Sequence, residues 1–277
     1  MSTYESDGAT LSYVDAGAGL PVVFLHPTPL DGGYWTPLVS KLSGVRAIVP
    51  DLRGHGGSEL GKGLPVGGFA AVPDAPVLTI AQLGADILRL ADRLGLASAV
   101  FAGCSIGGYL LLELWRRAPE RIRGLAFVCS KPQGEAEANL ARRVANIEQA
   151  RKGDLEAIFD GMAQTLTGAT TRKESPQIAA ALRAKMGLTA DGLVAVQAGL
   201  ATRPDSMPTV ATITAPVLAI AGAEDASVTP AEMEAFKAAL GGCEFHVLPD
   251  AGHLAAFERP ESVAAIFAPW LRRFEGY

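Results

Sequence analysis

A serine, an aspartate and a histidine in this chain have the residue types that activate a hydroxyl nucleophile. Ser105 stands in GCSIGG, Asp225 in GAEDASVTP and His253 in PDAGHL. In this chemistry the histidine takes the hydroxyl proton, while the aspartate fixes the imidazole tautomer and stabilises its protonated form. Alone, each has a structural explanation, as a helix cap or a turn residue. Together they favour a catalytic triad, in which Glu224 competes with Asp225 for the role of the acid.

Three glycines surround Ser105 where an apolar run meets an amphipathic segment. They are Gly103, Gly107 and Gly108. A nucleophile on a sharp strand-to-helix turn needs such neighbours, because a larger side chain would clash with the adjacent backbone. The G-x-S-x-G spacing also arises by chance in a chain with 31 glycines, so the motif needs support from the rest of the sequence.

The segments that position these residues alternate between strand-like and helix-like patterns. Short apolar runs without polar alternation are typical of parallel strands covered on both faces, and they occur at 21–26, 45–51, 98–104, 122–130, 215–222 and 243–250. Segments 79–96 and 260–276 have helical periodicity, as does the stretch after Ser105. An Asp-Gly pair within 3–17 predicts an antiparallel hairpin. We therefore expect an α/β fold, a mostly parallel central sheet with helices on both faces.

The polar candidates follow different predicted strands. Ser105, Asp225 and His253 come after the third, fifth and sixth apolar runs. Ligands of open parallel sheets bind outside the carboxyl ends of the strands, so these side chains are expected to meet at one edge. His26 ends the first run and precedes a proline, which favours a structural hydrogen-bonding role.

Residues 131–208 contain only helical patterns and are too long for a simple crossover. We predict a helical lid, or cap, inserted into a core formed by residues 1–130 and 209–277. Few positive charges of this segment face inward by pattern, and the Arg142-Arg143 pair is typical of a solvated helix side. That favours an uncharged or weakly acidic substrate. The apolar candidates for lining a pocket are Met162, Leu166, Met186, Leu193 and Val196 from the lid, and Trp35 and Tyr109 from the core; for each of them, plain packing in the interior is the alternative.

Composition excludes several classes of function. The net charge of −5 and the scattered basic residues argue against nucleic-acid binding. Apolar stretches are too short for a membrane span, and the N-terminus lacks a secretory signal, so a cytoplasmic protein is expected. Three cysteines without metal-like spacing predict reduced thiols, with no metal and no cofactor.

The expected partner is a small-molecule substrate; a homodimer is left open. The Gly/Pro-rich stretch 61–77 is either a loop beside the pocket or a tolerated insertion.

Four motifs together resemble the α/β-hydrolase superfamily over nearly the full chain. They are DLRGHGGS (51–58), GCSIGG (103–108), GAEDASVTP (222–230) and AGHLAAFERPE (251–261). The resemblance implies the α/β-hydrolase fold, with Ser105 as nucleophile, Asp225 as acid and His253 as base. It also implies an oxyanion hole formed by the backbone N–H groups of Ile106 and Thr28. The segment HPTPLDGGYW (26–35) departs from the family's His-Gly-x-Pro pattern at Pro27.

A serine nucleophile separates this chain from relatives that attack with aspartate, such as haloalkane dehalogenases and epoxide hydrolases. The resemblance implies hydrolysis of a small ester or lactone through an acyl-enzyme, as in small-ester hydrolases and 3-oxoadipate enol-lactonase-like enzymes. Two alternatives use the same triad: carbon–carbon bond hydrolysis of diketones, and cofactor-free perhydrolysis with acetate and peroxide. A third alternative is a ligand receptor on the same fold, against which the complete triad argues.

Overall fold

A computed structural model describes residues 1–274 of the chain, and an eight-stranded sheet forms its centre. The strands are β1 (Ser2–Ser6), β2 (Ala9–Gly17), β3 (Leu20–Leu25), β4 (Val45–Pro50), β5 (Ala99–Cys104), β6 (Ile122–Val128), β7 (Val217–Gly222) and β8 (Glu244–Leu248). Their spatial order is β1-β2-β4-β3-β5-β6-β7-β8. The pairs β1–β2 and β2–β4 are antiparallel and the others are parallel. The predicted α/β fold is confirmed, and each of the six predicted runs contains a strand.

The N-terminal hairpin turns at Asp7 and Gly8. Both residues have positive φ angles, 41° and 70°, and the last paired residues are Ser6 and Ala9. Positive φ at both central positions is the geometry of the tight turn that Asp-Gly favours, because it matches the twist of the flanking strands. The hairpin adds two antiparallel strands to one edge of the parallel sheet.

Helices cover the sheet and occupy the long segment between β6 and β7. They are α1 (Thr36–Val39), α2 (Ile80–Arg93), α3 (Ile106–Arg117), α4 (Glu137–Arg151), α5 (Leu155–Leu166), α6 (Ala169–Glu174), α7 (Pro176–Lys185), α8 (Ala190–Ala201), α9 (Met207–Val210), α10 (Pro230–Ala239), α11 (Ala255–Glu258) and α12 (Pro260–Leu271). The predicted tail helix, 260–276, therefore ends at Leu271, and its positions 275 and 276 lie outside the described residues. Within residues 1–274, no helix is both long and apolar enough to cross a membrane.

The segment between β6 and β7 contains helices α4 to α9. Sequence periodicity predicts α4, α5, α7 and α8, but not the short helix α6, whose sequence ATTRKE has no apolar repeat. The division into core and lid stays a prediction. The stretch 61–77 is mostly exposed but is anchored by Phe69, Val72 and Ala75, which are buried.

Candidate active site

Ser105 lies on a strained turn between β5 and α3. Its φ and ψ angles are 53° and −116°, a region that residues other than glycine rarely adopt. A Cβ atom at Gly103 would lie 2.3 Å from the carbonyl carbon of Gly107, and one at Gly107 would lie 2.1 Å from the carbonyl oxygen of Leu25. These glycines therefore allow the backbone approach that exposes a serine at the end of the strand.

The end of β6 supports the same turn. A Cβ atom at Gly108 would lie 2.2 Å from the hydroxyl oxygen of Ser130, and that hydroxyl donates to the carbonyl of Ser105 over 2.9 Å. The Ser130 hydroxyl therefore braces the serine turn. Gly108 must therefore lack a side chain because the Ser130 side chain lies against it, whereas Gly103 and Gly107 lie against backbone atoms.

Asp225 and His253 form a buried hydrogen-bonded pair. The distance from His253 Nδ1 to Asp225 Oδ2 is 2.7 Å. The other oxygen, Oδ1, accepts the backbone N–H groups of Ser227 at 2.8 Å and Val228 at 2.9 Å. Because the ionised carboxylate only accepts, Nδ1 carries the proton, and Nε2 keeps the lone pair that a general base needs.

Glu224, the competing acid, is engaged elsewhere. Its carboxylate accepts the backbone N–H of Thr170 over 2.8 Å and the hydroxyl of the same residue. Asp225, and not its neighbour, therefore contacts the imidazole of His253.

Two other buried histidines hold the loop after β3. His26 donates from Nδ1 to the carbonyl of Pro27 at 3.0 Å and accepts the N–H of Leu52 at Nε2 over 2.8 Å. His55 accepts the hydroxyl of Thr28 at Nε2 over 2.9 Å, while its Nδ1 bonds a backbone carbonyl. Burial lowers the pKa of His26 to about 4 and that of His55 to about 3. Both are therefore neutral at pH 7 and act as structural hydrogen-bonding groups.

The predicted oxyanion donors, Ile106 and Thr28, come from two different segments. Ile106 is the first residue of α3, so its N–H has no acceptor within the helix and lies at the positive end of the helix dipole. Thr28 belongs to the loop that His55 orients, and it lines the same cavity as Ser105. Their role as an oxyanion hole stays a prediction.

Ser105, His253 and Thr28 line one cavity of about 340 Å³. Of the predicted pocket residues, Tyr109, Met162 and Leu166 also line it. Four others are not among its lining residues and are packed in the interior: Trp35, Met186, Leu193 and Val196. Trp35 is fully buried and packs against Phe24 and Tyr34. The prediction of a pocket wall from these four residues is therefore corrected: these four side chains pack in the interior instead.

Residues 22–266 match the alpha/beta hydrolase family. The chain belongs to this family. A thermophilic esterase from Thermogutta terrifontis, solved with malate bound, is 30% identical, with a TM-score of 0.88 over 99% of this chain and 97% of that one. The enol-lactonase from Burkholderia xenovorans LB400 is 25% identical, with a TM-score of 0.85 over 98% and 100% of the two chains.

Sequence relatives of this hydrolase carry names of more than one activity. A 3-oxoadipate enol-lactonase from Acinetobacter baylyi is 27% identical over 92% of this chain and 89% of its own length. The family membership supports hydrolase activity. The names of the esterase and enol-lactonase neighbours do not identify which bond this chain cleaves.

Charged side chains line the cavity of this hydrolase more than the sequence pattern predicts. Lys131, Arg142, Arg143, Arg203 and Glu135 are all among the lining residues. Arg142 is exposed, but the Arg143 side chain keeps only 12% of its surface accessible. The expectation that few positive charges face inward is wrong. A helix side that faces a polar cavity has the same residue pattern as one that faces solvent, so periodicity cannot separate them.

Sequence reasoning missed Glu258, a buried carboxylate in α11. Its Oε1 accepts the N–H groups of Gly252 at 3.2 Å and Leu254 at 3.1 Å, the two neighbours of His253. Its Oε2 accepts the N–H of Gly168 at 2.9 Å and the hydroxyl of Thr171 at 2.6 Å. One carboxylate therefore ties the histidine loop to the start of α6, and nothing in the string AGHLAAFERPE indicates it.

Residues 166–171, here called the brace segment, contact both loops of the Asp225–His253 pair. The N–H of His253 donates to the carbonyl of Leu166 over 2.9 Å, and Glu258 binds this segment as described. Thr170 holds Glu224, the residue before Asp225. The loops that carry Asp225 and His253 are thus fixed by a piece of the helical segment between β6 and β7.

Replacing Glu258 by glutamine should lower the free energy of unfolding by about 2–4 kcal/mol. The amide NH₂ would face two buried donors, which would lose their acceptor. Urea unfolding with an unchanged m-value measures the loss, and Glu234→Gln on the exposed side of α10 is the matched control. Equal midpoints for the two variants would contradict the bracing role.

Proposed function

We propose that this hydrolase cleaves a small carboxylic ester or lactone through an acyl-enzyme on Ser105. The observation that carries the proposal is the Asp225–His253 pair, which leaves Nε2 of the histidine free while His253 and Ser105 line one cavity. A base with a fixed tautomer that lines the same cavity as a strained serine fits the arrangement that acyl transfer requires.

The proposed reaction has two halves. The hydroxyl oxygen of Ser105 attacks the substrate carbonyl, and Nε2 of His253 takes its proton and passes it to the leaving alkoxide. Water then attacks the acyl-enzyme and gives a proton to His253, which returns it to the Ser105 oxygen as the carboxylic acid is released. The N–H groups of Ile106 and Thr28 would bind the oxyanion in both halves; one such donor contributes about 10²–10³-fold in kcat.

Two findings support an ester or lactone as the substrate. The names of structural neighbours describe an esterase and an enol-lactonase, and acyl-oxygen cleavage is common to both activities. A cavity of about 340 Å³ lies at the small end of the range for small-molecule sites. The acyl group is therefore expected to be short.

Rapid-mixing kinetics with p-nitrophenyl esters of increasing acyl length test this function. The expected result is a burst of p-nitrophenol equal to the enzyme concentration, then steady turnover that is fastest for short acyl groups. A burst without turnover would instead indicate a receptor that retains the nucleophile. Failure to cleave every ester and lactone offered would overturn the proposal.

A further inference from the structure

We infer that the cavity contains a subsite for a substrate carboxylate, formed by Arg143 and Gln197. The substrate is then an ester or lactone that carries a free carboxylate. This inference rests on the proposed function, which it makes more specific. It replaces the sequence-based expectation of an uncharged or weakly acidic substrate.

The subsite belongs to a buried cluster of two guanidinium groups and one carboxylate. Oε2 of Glu135 accepts a hydrogen bond from the guanidinium of Arg143. The same oxygen lies 2.9 Å from Nη1 of Arg203. The accessible fractions of the three side chains are 3% for Glu135, 12% for Arg143 and 2% for Arg203. Asn139 adds a neutral hydrogen bond to Oε1 of Glu135 over 3.0 Å.

This cluster is short of one negative charge. Two guanidinium groups remain protonated at any physiological pH and share a single carboxylate. The nearby cavity residue Lys131 does not alter this balance, because it pairs with Glu232. A buried positive charge without a counter-ion is costly. A substrate carboxylate would supply the counter-ion, so the excess charge favours an anionic ligand over a neutral one.

Arg143 and Gln197 have hydrogen-bond donors left for such a ligand. Arg143 donates from Nη1 to Oε1 of Gln197 over 3.0 Å, which orients the amide so that its NH₂ group remains a donor. The planar guanidinium of Arg143 has five N–H groups and fits a carboxylate in bidentate geometry. Both residues line the cavity.

Arg203 holds the cluster in place, and Arg143 is the arginine that contacts the ligand. Its Nη2 donates to the carbonyls of Gln133 and Gly134 at 3.2 and 3.0 Å. Its guanidinium carbon lies 4.5 Å from the centre of the Tyr109 ring. Arg203 is therefore fixed on three sides, and Arg143 is the more accessible of the two cations.

Tyr109 connects the cluster to the segment that carries the nucleophile. It follows Ser105 by four residues at the start of α3, a separation of about one helical turn or roughly 5 Å. Arg203 covers its ring, and Arg143 joins Arg203 through Glu135. Ser105, Arg143 and Gln197 line one cavity of about 340 Å³, and a cavity of that size favours a half-ester or lactone of a short dicarboxylic acid.

Matched pairs of esters test the subsite. We compare kcat/KM for ethyl hydrogen glutarate with its uncharged amide, ethyl glutaramate, and for butyryl glycolate with butyryl glycolamide, so that the carboxylate lies in the acyl or the leaving group. In the wild type, one of the pairs should favour the acid by about 10- to 100-fold, the range of a charge-assisted hydrogen bond. Arg143→Met should bring that ratio close to one, chiefly through KM.

Two further variants sharpen the test. Gln197→Glu adds the negative charge that the cluster lacks, so it should abolish the preference for the acid while the melting temperature holds or rises. Arg151→Met removes an exposed arginine from the same helix, where it pairs with Asp74 over 3.1 Å, and it should keep the wild-type ratio. Gln197→Glu also answers the question if Arg143→Met does not fold.

The outcomes separate this inference from the proposed function. A wild-type ratio near one in both pairs, or an unchanged ratio in Arg143→Met and Gln197→Glu, would overturn the carboxylate subsite while ester hydrolysis stands. If no ester is cleaved, thermal unfolding with glutarate decides: a rise in melting temperature in the wild type, absent from Gln197→Glu, supports the subsite alone. No rise in either protein would overturn it.

Discussion

Replacing Ser105 by alanine is expected to lower kcat for a p-nitrophenyl ester by about 10⁴- to 10⁶-fold. Without the hydroxyl no acyl-enzyme forms, so only the polarising effect of the oxyanion donors and of binding would remain. The turn itself needs the glycines around position 105 rather than the hydroxyl, so the melting temperature should change little. Steady-state kcat and the burst amplitude measure the effect.

Ser43→Ala is the matched control for this variant. Ser43 is exposed in the loop before β4 and is not among the residues that line the cavity. It should keep the wild-type kcat and the full burst. A Ser105→Ala protein that retains the burst would place the nucleophile elsewhere and would remove the basis for the proposed function.

Asp225→Asn is expected to lower kcat by about 10⁴-fold. The amide NH₂ of asparagine would donate to Nδ1 of His253, which would move the ring proton to Nε2. The histidine could then no longer accept the proton of Ser105. Because the asparagine oxygen can still accept from Ser227 and Val228, the loop should keep its shape. Steady-state kcat together with the melting temperature separates the two effects.

Glu224→Gln is the control that uses the neighbouring carboxylate. It weakens the contact with Thr170 but leaves the hydrogen bond between Asp225 and His253 unchanged. Its kcat should therefore fall far less than that of Asp225→Asn. If the larger loss belonged to Glu224→Gln, the acid role would have to be reassigned to that residue.

The strands were predictable from the sequence because a strand that is buried on both faces consists almost entirely of apolar residues. In β5 and β7 every residue is buried, so both strands appear as uninterrupted apolar runs. Polar residues follow the strand ends at the same edge of the sheet. The sequence alone therefore predicts that Asp225 and His253 lie close together.

The lining of the cavity was less predictable, for two physical reasons. Apolar residues such as Trp35 and Met186 pack equally well into a core or a pocket wall, and only the packing decides between them. Arg143, by contrast, faces an internal cavity from a helix whose residue pattern also describes a solvated helix. Periodicity reports which residues avoid contact with the core, and it does not distinguish bulk water from a substrate site.

Glu258 could not be recognised for a different reason. Its partners at Gly252, Leu254 and Gly168 are backbone N–H groups, which every residue except proline has. Their positions depend on how the loop after β8 meets the end of α5, a contact between segments about 85 residues apart in the chain. No residue type near position 258 carries that information.

The brace segment has a consequence for protein engineering and for how this architecture diversifies. A chimera that exchanges the whole predicted lid, residues 131–208, would also discard residues 166–171. With them would go the contact between Gly168 and Gly252, which is too close for any side chain at position 252, where a Cβ atom would lie 2.3 Å from the Gly168 nitrogen. Transplants that retain this stretch can alter specificity alone, whereas wholesale replacement must rebuild the support of the acid and histidine loops.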